Sequence, residues 1–264
     1  MIVYKTEAEI AAIKRSSQIV AKVLAELKTI VKPGVSTKAL DECAEARARE
    51  MGAVPAFKGY RGYPAALCAS VNEEIIHGIP SSRVLKDGDI IGLDFGVLFD
   101  GFYGDAAVTI PVGEVSLKAK QLIAAAETAF YKGIEQIKKG NRISDISHAV
   151  QAYVESKGFS VIRAFVGHGI GHSLHEEPQV PNFGLPGRGP KIREGLTLAI
   201  EPMIAAGDWQ EEILKDGWTA ATKDRSLSAH FEHTIALTTR GVEILSLREE
   251  EKPQVFSSEV NRYA

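Results

Sequence analysis

The sequence predicts an α+β chain built from two related halves, and two repeats carry that prediction. Gly88-Asp89-Ile90-Ile91-Gly92-Leu93-Asp94 returns 107 residues later as Gly195-Leu196-Thr197-Leu198-Ala199-Ile200-Glu201. In each copy a glycine follows a base and an acid (Lys86-Asp87, Arg193-Glu194), and an apolar run leads to a carboxylate. Short Ile- and Leu-rich runs bounded by turn residues read as buried strands. An acid delivered by such a strand must be solvated or matched by a cation, so Asp94 and Glu201 are site candidates. The second repeat lies 106 residues apart: Gly34 to Gly52 and Gly140 to Gly158 both span eighteen residues, each a helix with a hydroxyl cap (Ser36, Ser144) and a closing glycine. The halves, about 1-112 and 113-247, should face each other across a pseudo-twofold axis within a single domain of 264 residues, followed by a polar, poorly ordered tail over 248-264.

Composition narrows the class. With 45% hydrophobic residues the chain can bury a large core, and 31 Lys and Arg against 34 Asp and Glu leave a charge of -3. Bulk charge therefore gives no reason to expect nucleic acid or a membrane surface as partner. Cys43 and Cys68 are too few for a disulfide framework, no apolar run reaches eighteen residues, and charge appears at Lys5, so a cytoplasmic protein is expected.

Element by element, Thr6-Glu7-Ala8-Glu9 forms a capping box that opens a long helix ended by Pro33-Gly34. A second helix runs from Thr37 to Met51 with Cys43 as a small buried residue. The stretch carrying Phe57, Tyr60, Arg61, Gly62, Tyr63 and Pro64 reads as a pocket wall. An extended segment from Leu67 to Ile76 ends in His77-Gly78. The strand bearing Asp94 turns at Asp100-Gly101, a hairpin signal that places Asp94 opposite Ala107 and Asp105 two residues from that partner on the same face. Two carboxylates that close either share a proton or hold a metal. Helices follow over about 117-138, capped by Ser116, and after Ser144, where His148 is a packing or surface residue.

Gly167-His168-Gly169-Ile170-Gly171-His172-Ser173-Leu174-His175-Glu176-Glu177-Pro178 holds the densest chemistry. His168 and His172 have the spacing of a helical zinc pair, but three glycines oppose a helix. His168 and His175 are candidates for separate roles, and His172 faces solvent. Residues 178-193 read as loop, Asp216-Gly217 as a further hairpin before Trp218, and Phe231 to Leu237 as a strand carrying Glu232. Asp94, Asp105, Glu201 and Glu232 with an imidazole form an oxygen-rich set suited to hard or borderline divalent ions, and four negative charges balance two such ions.

These motifs closely resemble the type I methionine aminopeptidases of the pita-bread fold, from about residue 3 to 247. The resemblance is carried by His77-Gly78-Ile79-Pro80, Asp94-Phe95-Gly96, Gly104-Asp105, Gly167-His168-Gly169-Ile170-Gly171, His175-Glu176-Glu177-Pro178, Ile200-Glu201-Pro202-Met203, Asp216-Gly217-Trp218 and Phe231-Glu232-His233-Thr234. It implies two pseudo-symmetric halves of curved antiparallel sheet with helices on the outer face. It also implies a single catalytic domain that removes the initiator methionine from nascent chains when the second residue is small. Asp94, Asp105, His168, Glu201 and Glu232 would hold two divalent ions (Co, Mn, Fe, Zn or Ni), with Asp105 and Glu232 bridging. His77 and His175 would contact the substrate amide and the tetrahedral intermediate, and Glu201 would accept a proton. Tyr60, Tyr63, Cys68, His77, Leu174, His175 and Trp218 would bind the substrate. Partners would be nascent N-termini and, transiently, the ribosome, with a monomeric chain and no nucleic acid or membrane. Three departures stand out: Leu174 where many members carry Phe, implying a more open pocket wall, Phe57 where some have Cys, and His230 where Gln is common. A prolidase-like activity, which by resemblance would bring a large extra N-terminal domain, and a metal-free peptide-binding module are the competing readings. The second would be favoured by loss of a ligand, and all five are present.

Overall fold

The computed structural model describes residues 1–251; the expected tail beyond them, 252-264, lies outside the described residues. The elements in order are α1 (Glu7–Ile30), α2 (Thr37–Glu50), β1 (Val54–Pro55), β2 (Cys68–Val71), β3 (Glu74–Ile76), β4 (Ile90–Phe99), β5 (Phe102–Pro111), α3 (Leu117–Ile134), α4 (Ile143–Ser156), β6 (Ser160–Val161), β7 (Gly167–Gly169), β8 (Glu176–Val180), β9 (Thr197–Ile200), β10 (Met203–Ala205), β11 (Glu211–Ile213), β12 (Ala220–Thr222), β13 (Ser228–His230), β14 (Glu232–Thr238) and β15 (Gly241–Ile244). Nine strands form one antiparallel sheet in the order β1-β4-β5-β14-β9-β7-β8, with β2 paired to β4 and β15 to β14. Sheet and helices make the α+β class that the repeats predict.

α1 starts at the expected capping box, in which the Thr6 hydroxyl accepts from the Glu9 N–H while the Glu9 carboxylate accepts from the Thr6 N–H. Its apolar stripe, with Ile13, Val20, Leu24 and Leu27 buried, covers the back of the β4/β5 hairpin. Contact is close at Gly104, where a Cβ would stand 2.5 Å from the backbone nitrogen of Ser17. The alternation of β4 explains the arrangement: Leu93, Phe95 and Val97 are fully buried in the main core, while Gly92, Asp94 and Gly96 face the opposite side. α3 and α4 cover the other half, where Ile146 and Val150 pack on Gly133.

Several sequence expectations shift. Asp94 sits mid-strand because β5 pairs along the whole of β4, whereas Glu201 does follow the end of its strand. α3 stops at Ile134, where the chain tightens into turns through Gln136 N–H to Gly133 O and Ile137 N–H to Ile134 O. α4 begins at Ile143, one residue before Ser144: the Asp145 carboxylate accepts the Arg142 N–H at 2.7 Å, and the Ser144 hydroxyl is engaged by Arg188 N–H instead. Cys43 is only half-buried, packed at the edge of the main core. Part of the expected loop is strand, since β8 reaches Val180. Arg248 and Glu251, read as the start of a polar tail, are buried and paired with each other, with His233 lying 3.4 Å from Glu251.

Candidate metal centre

The register of the main sheet brings the sequence-predicted acids together. Asp94 is opposite Cys68 on one side and Ala107 on the other, and Ala107 is in turn opposite Glu232. The His233–Ile200 pairing, continued by one residue, carries the same rung on to Glu201. The next rung on the same face, two residues along, joins Gly96 to Asp105 and His168 to Ala199 to Thr234. Asp105 and Thr234 close it through two hydrogen bonds of the Thr234 hydroxyl, one from the Asp105 N–H at 3.1 Å and one to the Asp105 carbonyl at 2.8 Å. Paired residues share a face and so do residues two apart, so Asp94, Asp105, His168, Glu201 and Glu232 lie on one side of the sheet across two rungs two residues apart. Between them are residues with little or no side chain. A Cβ on Gly96 would come within 3.2 Å of Asp105 Oδ1 and 2.8 Å of the Phe57 ring.

All five side chains are buried. Donor atoms of Asp105, His168 and Glu232 lie within 4.8 Å of one another, and His168 Nε2 is 3.7 Å from Glu201 Oε1. Asp94 Oδ1, Asp105 Oδ1 and Glu232 Oε1 have no hydrogen-bond partner, a costly state for buried acceptors unless something else satisfies them. Desolvation, then mutual repulsion, raises the carboxyl pKa of Asp94, Glu201 and Glu232, and desolvation raises that of Asp105. Burial has the opposite effect on His168, which is pushed down to about 4 and so stays neutral, the form that ligates metals. Orphaned oxygens, four clustered acids and a neutral imidazole fit divalent cations.

A cavity of about 190 Å³ opens above this face. Phe57, Tyr60, Tyr63, Cys68, His77, Leu174, His175 and Trp218 line it together with the five candidate ligands, so every residue predicted for the site from sequence reaches one space. His77 adopts a left-handed conformation, φ 60, and the following Gly78 is pressed against the backbone of Ala69, where a Cβ would meet the carbonyl oxygen at 2.4 Å. Its ring is held edge-on to Phe165 and Trp218. His175 stands at the mouth, its Nδ1 2.8 Å from the Tyr60 hydroxyl and its ring 4.3 Å from that of His168. Desolvation, then His168 and Arg61, hold its pKa below the ordinary value. Cys68 is buried beside Asp94, and desolvation keeps its thiol protonated.

Leu174, where a more open wall is expected, is 2% exposed and belongs to a cluster with Phe57, Tyr63, Cys68 and Ile170, and both Leu174 and Phe57 line the cavity. His230 does bring an imidazole to the site: its Nε2 lies 3.7 Å from Glu201 and 3.9 Å from Glu232. Arg61 lines the cavity too, in the stretch that reads as a pocket wall, whereas Ile76, Phe165 and Val166 line it without a sequence expectation. For Phe165 and Val166 the available signal was their place just before Gly167-His168. His172 is exposed as expected, near the Gly101 carbonyl, and His148 is exposed on α4.

Residues 11–239 match the profile of metallopeptidase family M24. The chain is 50% identical over 246 residues to methionine aminopeptidase 1 of Bacillus subtilis, covering 93% of this chain and 99% of that one. It is 51% identical over 247 residues to the methionine aminopeptidase of Clostridium perfringens, covering 94% and 99%. The crystal structure of methionine aminopeptidase from Thermotoga maritima superposes with a TM-score of 0.92 at 47% identity, covering 94% of this chain and all of that one, and so shares the pita-bread fold. With a matching profile over most of its length, close relatives and a face of buried metal-type donors, the chain belongs to metallopeptidase family M24.

Proposed function

We propose that this protein is a methionyl aminopeptidase that releases the initiator methionine from nascent proteins and peptides whose second residue is small. The observation that carries the reading is the meeting of five buried metal-type donors with a small, largely aromatic cavity, in a chain about half identical to proteins named methionine aminopeptidase. Two divalent ions, Co, Mn, Fe, Zn or Ni, would be held by Asp94, Asp105, His168, Glu201 and Glu232. Once bound, such a pair lowers the pKa of a water and polarises the scissile carbonyl. Tyr60, Tyr63, Cys68, Leu174 and Trp218 receive the methionine side chain, whose unbranched thioether adapts to a mixed aromatic wall. Glu201, buried on the metal face, accepts the proton of the attacking water. His77 orients the substrate amide, and His175, with its Nδ1 engaged by Tyr60, presents Nε2 to the developing oxyanion.

Nascent N-termini are the proposed partners, met through a transient ribosome contact by a monomeric chain in the cytoplasm. No helix among the described residues is long and apolar enough to cross a membrane. The test is release of methionine from Met-Ala-Ser by metal-free protein re-supplied with single divalent ions. Activity should be absent without metal and should rise up to two equivalents. Metal-independent cleavage, or none with any ion, refutes the proposal.

A further inference from the structure

Lys5 has no solvent-exposed side-chain surface, although it precedes the first helix by only two residues. Its backbone N–H donates to the Gly195 carbonyl at 2.7 Å, and a Cβ on Gly195 would stand 2.7 Å from the Lys5 carbonyl oxygen, so the two segments are in direct backbone contact. The side chain then runs beneath the turn that follows β7. At Gly171 a Cβ would lie 2.3 Å from Lys5 Cε, which makes that glycine the space the lysine stem occupies. The ammonium donates to Glu176 Oε2 at 2.6 Å and to the Val3 carbonyl at 3.2 Å.

Glu176 is the residue after His175, and its other oxygen accepts the Ser173 N–H at 3.1 Å, spanning the turn that presents the imidazole. At the start of the same turn, the Gly171 carbonyl accepts the Tyr103 N–H at 2.8 Å, two residues from Asp105. Burying an ammonium is costly unless it is paired, and an apolar side chain would fill the same volume without that cost. What the pair adds over an apolar filler is direction: a short, charge-assisted bond fixes where Glu176, and with it His175, must sit.

We propose that Lys5 is a positioning residue for His175, acting through Glu176 to hold the Gly171–Glu176 turn over the metal face. The proposal rests on the role given to His175 above. A group displaced by about 1 Å from its place over the reacting carbonyl loses on the order of 100-fold in rate. Lys5→Met and Glu176→Gln should therefore each lower kcat by about 10- to 100-fold with KM within about twofold. Combined with His175→Ala, either should add less than about twofold, because the group being positioned is already gone.

The same factor in both backgrounds, or an unchanged kcat in the single variants, overturns the proposal. If Lys5→Met does not fold, Glu176→Gln preserves size and completes the same cycle. A second readout is independent of turnover. The imidazole 15N resonances of His175, identified by their loss in His175→Ala, should move in Glu176→Gln while those of His148 stay in place; unmoved resonances overturn the proposal. A wild-type chain that releases no methionine counts against the aminopeptidase reading, and the resonance experiment still decides the role of Lys5.

Discussion

Replacing Leu174 by Phe adds a ring to a buried cluster that walls the cavity. Leu174 is 2% exposed and Phe57 8% exposed, and both belong to one cluster that lines the cavity of about 190 Å³. Overpacking a filled site costs about 1–3 kcal/mol. Relieved into the cavity, that strain displaces substrate and lowers kcat/KM for a methionine peptide by about 5- to 150-fold. A leucine peptide should lose more, since its branched side chain adapts less readily to a narrowed pocket than an unbranched thioether. The ratio of kcat/KM for Met-Ala-Ser over Leu-Ala-Ser then rises. Phe57→Ala added to Leu174→Phe returns the space and should restore most of the lost methionine activity. Wild-type kcat/KM in the single variant, or a double variant no better than the single, would refute the idea that Phe57 and Leu174 share one volume.

Three further outcomes follow from the site. Glu201→Gln removes a charge and a proton acceptor at nearly constant volume, so turnover should be abolished while the melting temperature stays within a few degrees; near-normal activity would sink the proposed role. His175→Ala should lower kcat by about 100- to 1000-fold, as for loss of one oxyanion donor, with a much smaller change in KM; an effect confined to KM would make His175 a ground-state binder. The pH dependence has a definite sign. Burial raises the folded-state pKa of Asp94, Asp105, Glu201 and Glu232, for Asp105 to about 7. Carboxyls raised on folding stabilise the protein below their unfolded pKa, and that contribution is lost as pH rises through the folded pKa. Metal must displace the same protons, so the rise in melting temperature on adding Mn²⁺ should be larger at pH 8 than at pH 5.5; equal rises would exclude proton competition at these carboxyls.

Much of the site could be read from the chain because its determinants are local. The capping box at Thr6, the hairpin at Asp100-Gly101 and the register it sets depend on short spacings, and the Asp94–Ala107 pairing follows from the turn alone. What escaped depends on contacts between distant segments. Ser144 looks like a cap in isolation, yet the 188 loop takes its hydroxyl. Leu174 and Phe57, more than a hundred residues apart, meet in one buried cluster, a neighbourhood that spacing along the chain does not give. Arg248 and Glu251 look like solvated charges, but they are buried together behind β14, with Glu251 near His233 and the Arg248 guanidinium 5.4 Å from the Phe231 ring. Composition cannot separate a charged tail from a charged pair that has found a partner.

The two faces of β14 make the physical point. One side presents Glu232 to unpartnered acids, the other packs His233 beside Ser246 and Glu251, where the Ser246 hydroxyl lies 2.8 Å from His233 Nδ1 and accepts the Thr234 N–H at 3.0 Å. Adjacent residues on one strand thus carry a buried acid whose Oε1 has no protein donor and a buried imidazole whose Nδ1 is engaged by Ser246 and whose Nε2 lies near Glu251. A strand cannot translate or slip its register to relieve the first without breaking the second, because every side chain would exchange faces. Unable to retreat, the carboxylates must be compensated where they stand, by protons at low pH or by cations at higher pH. That rigidity is what turns a destabilising cluster of acids into a site with a strong and pH-dependent demand for metal.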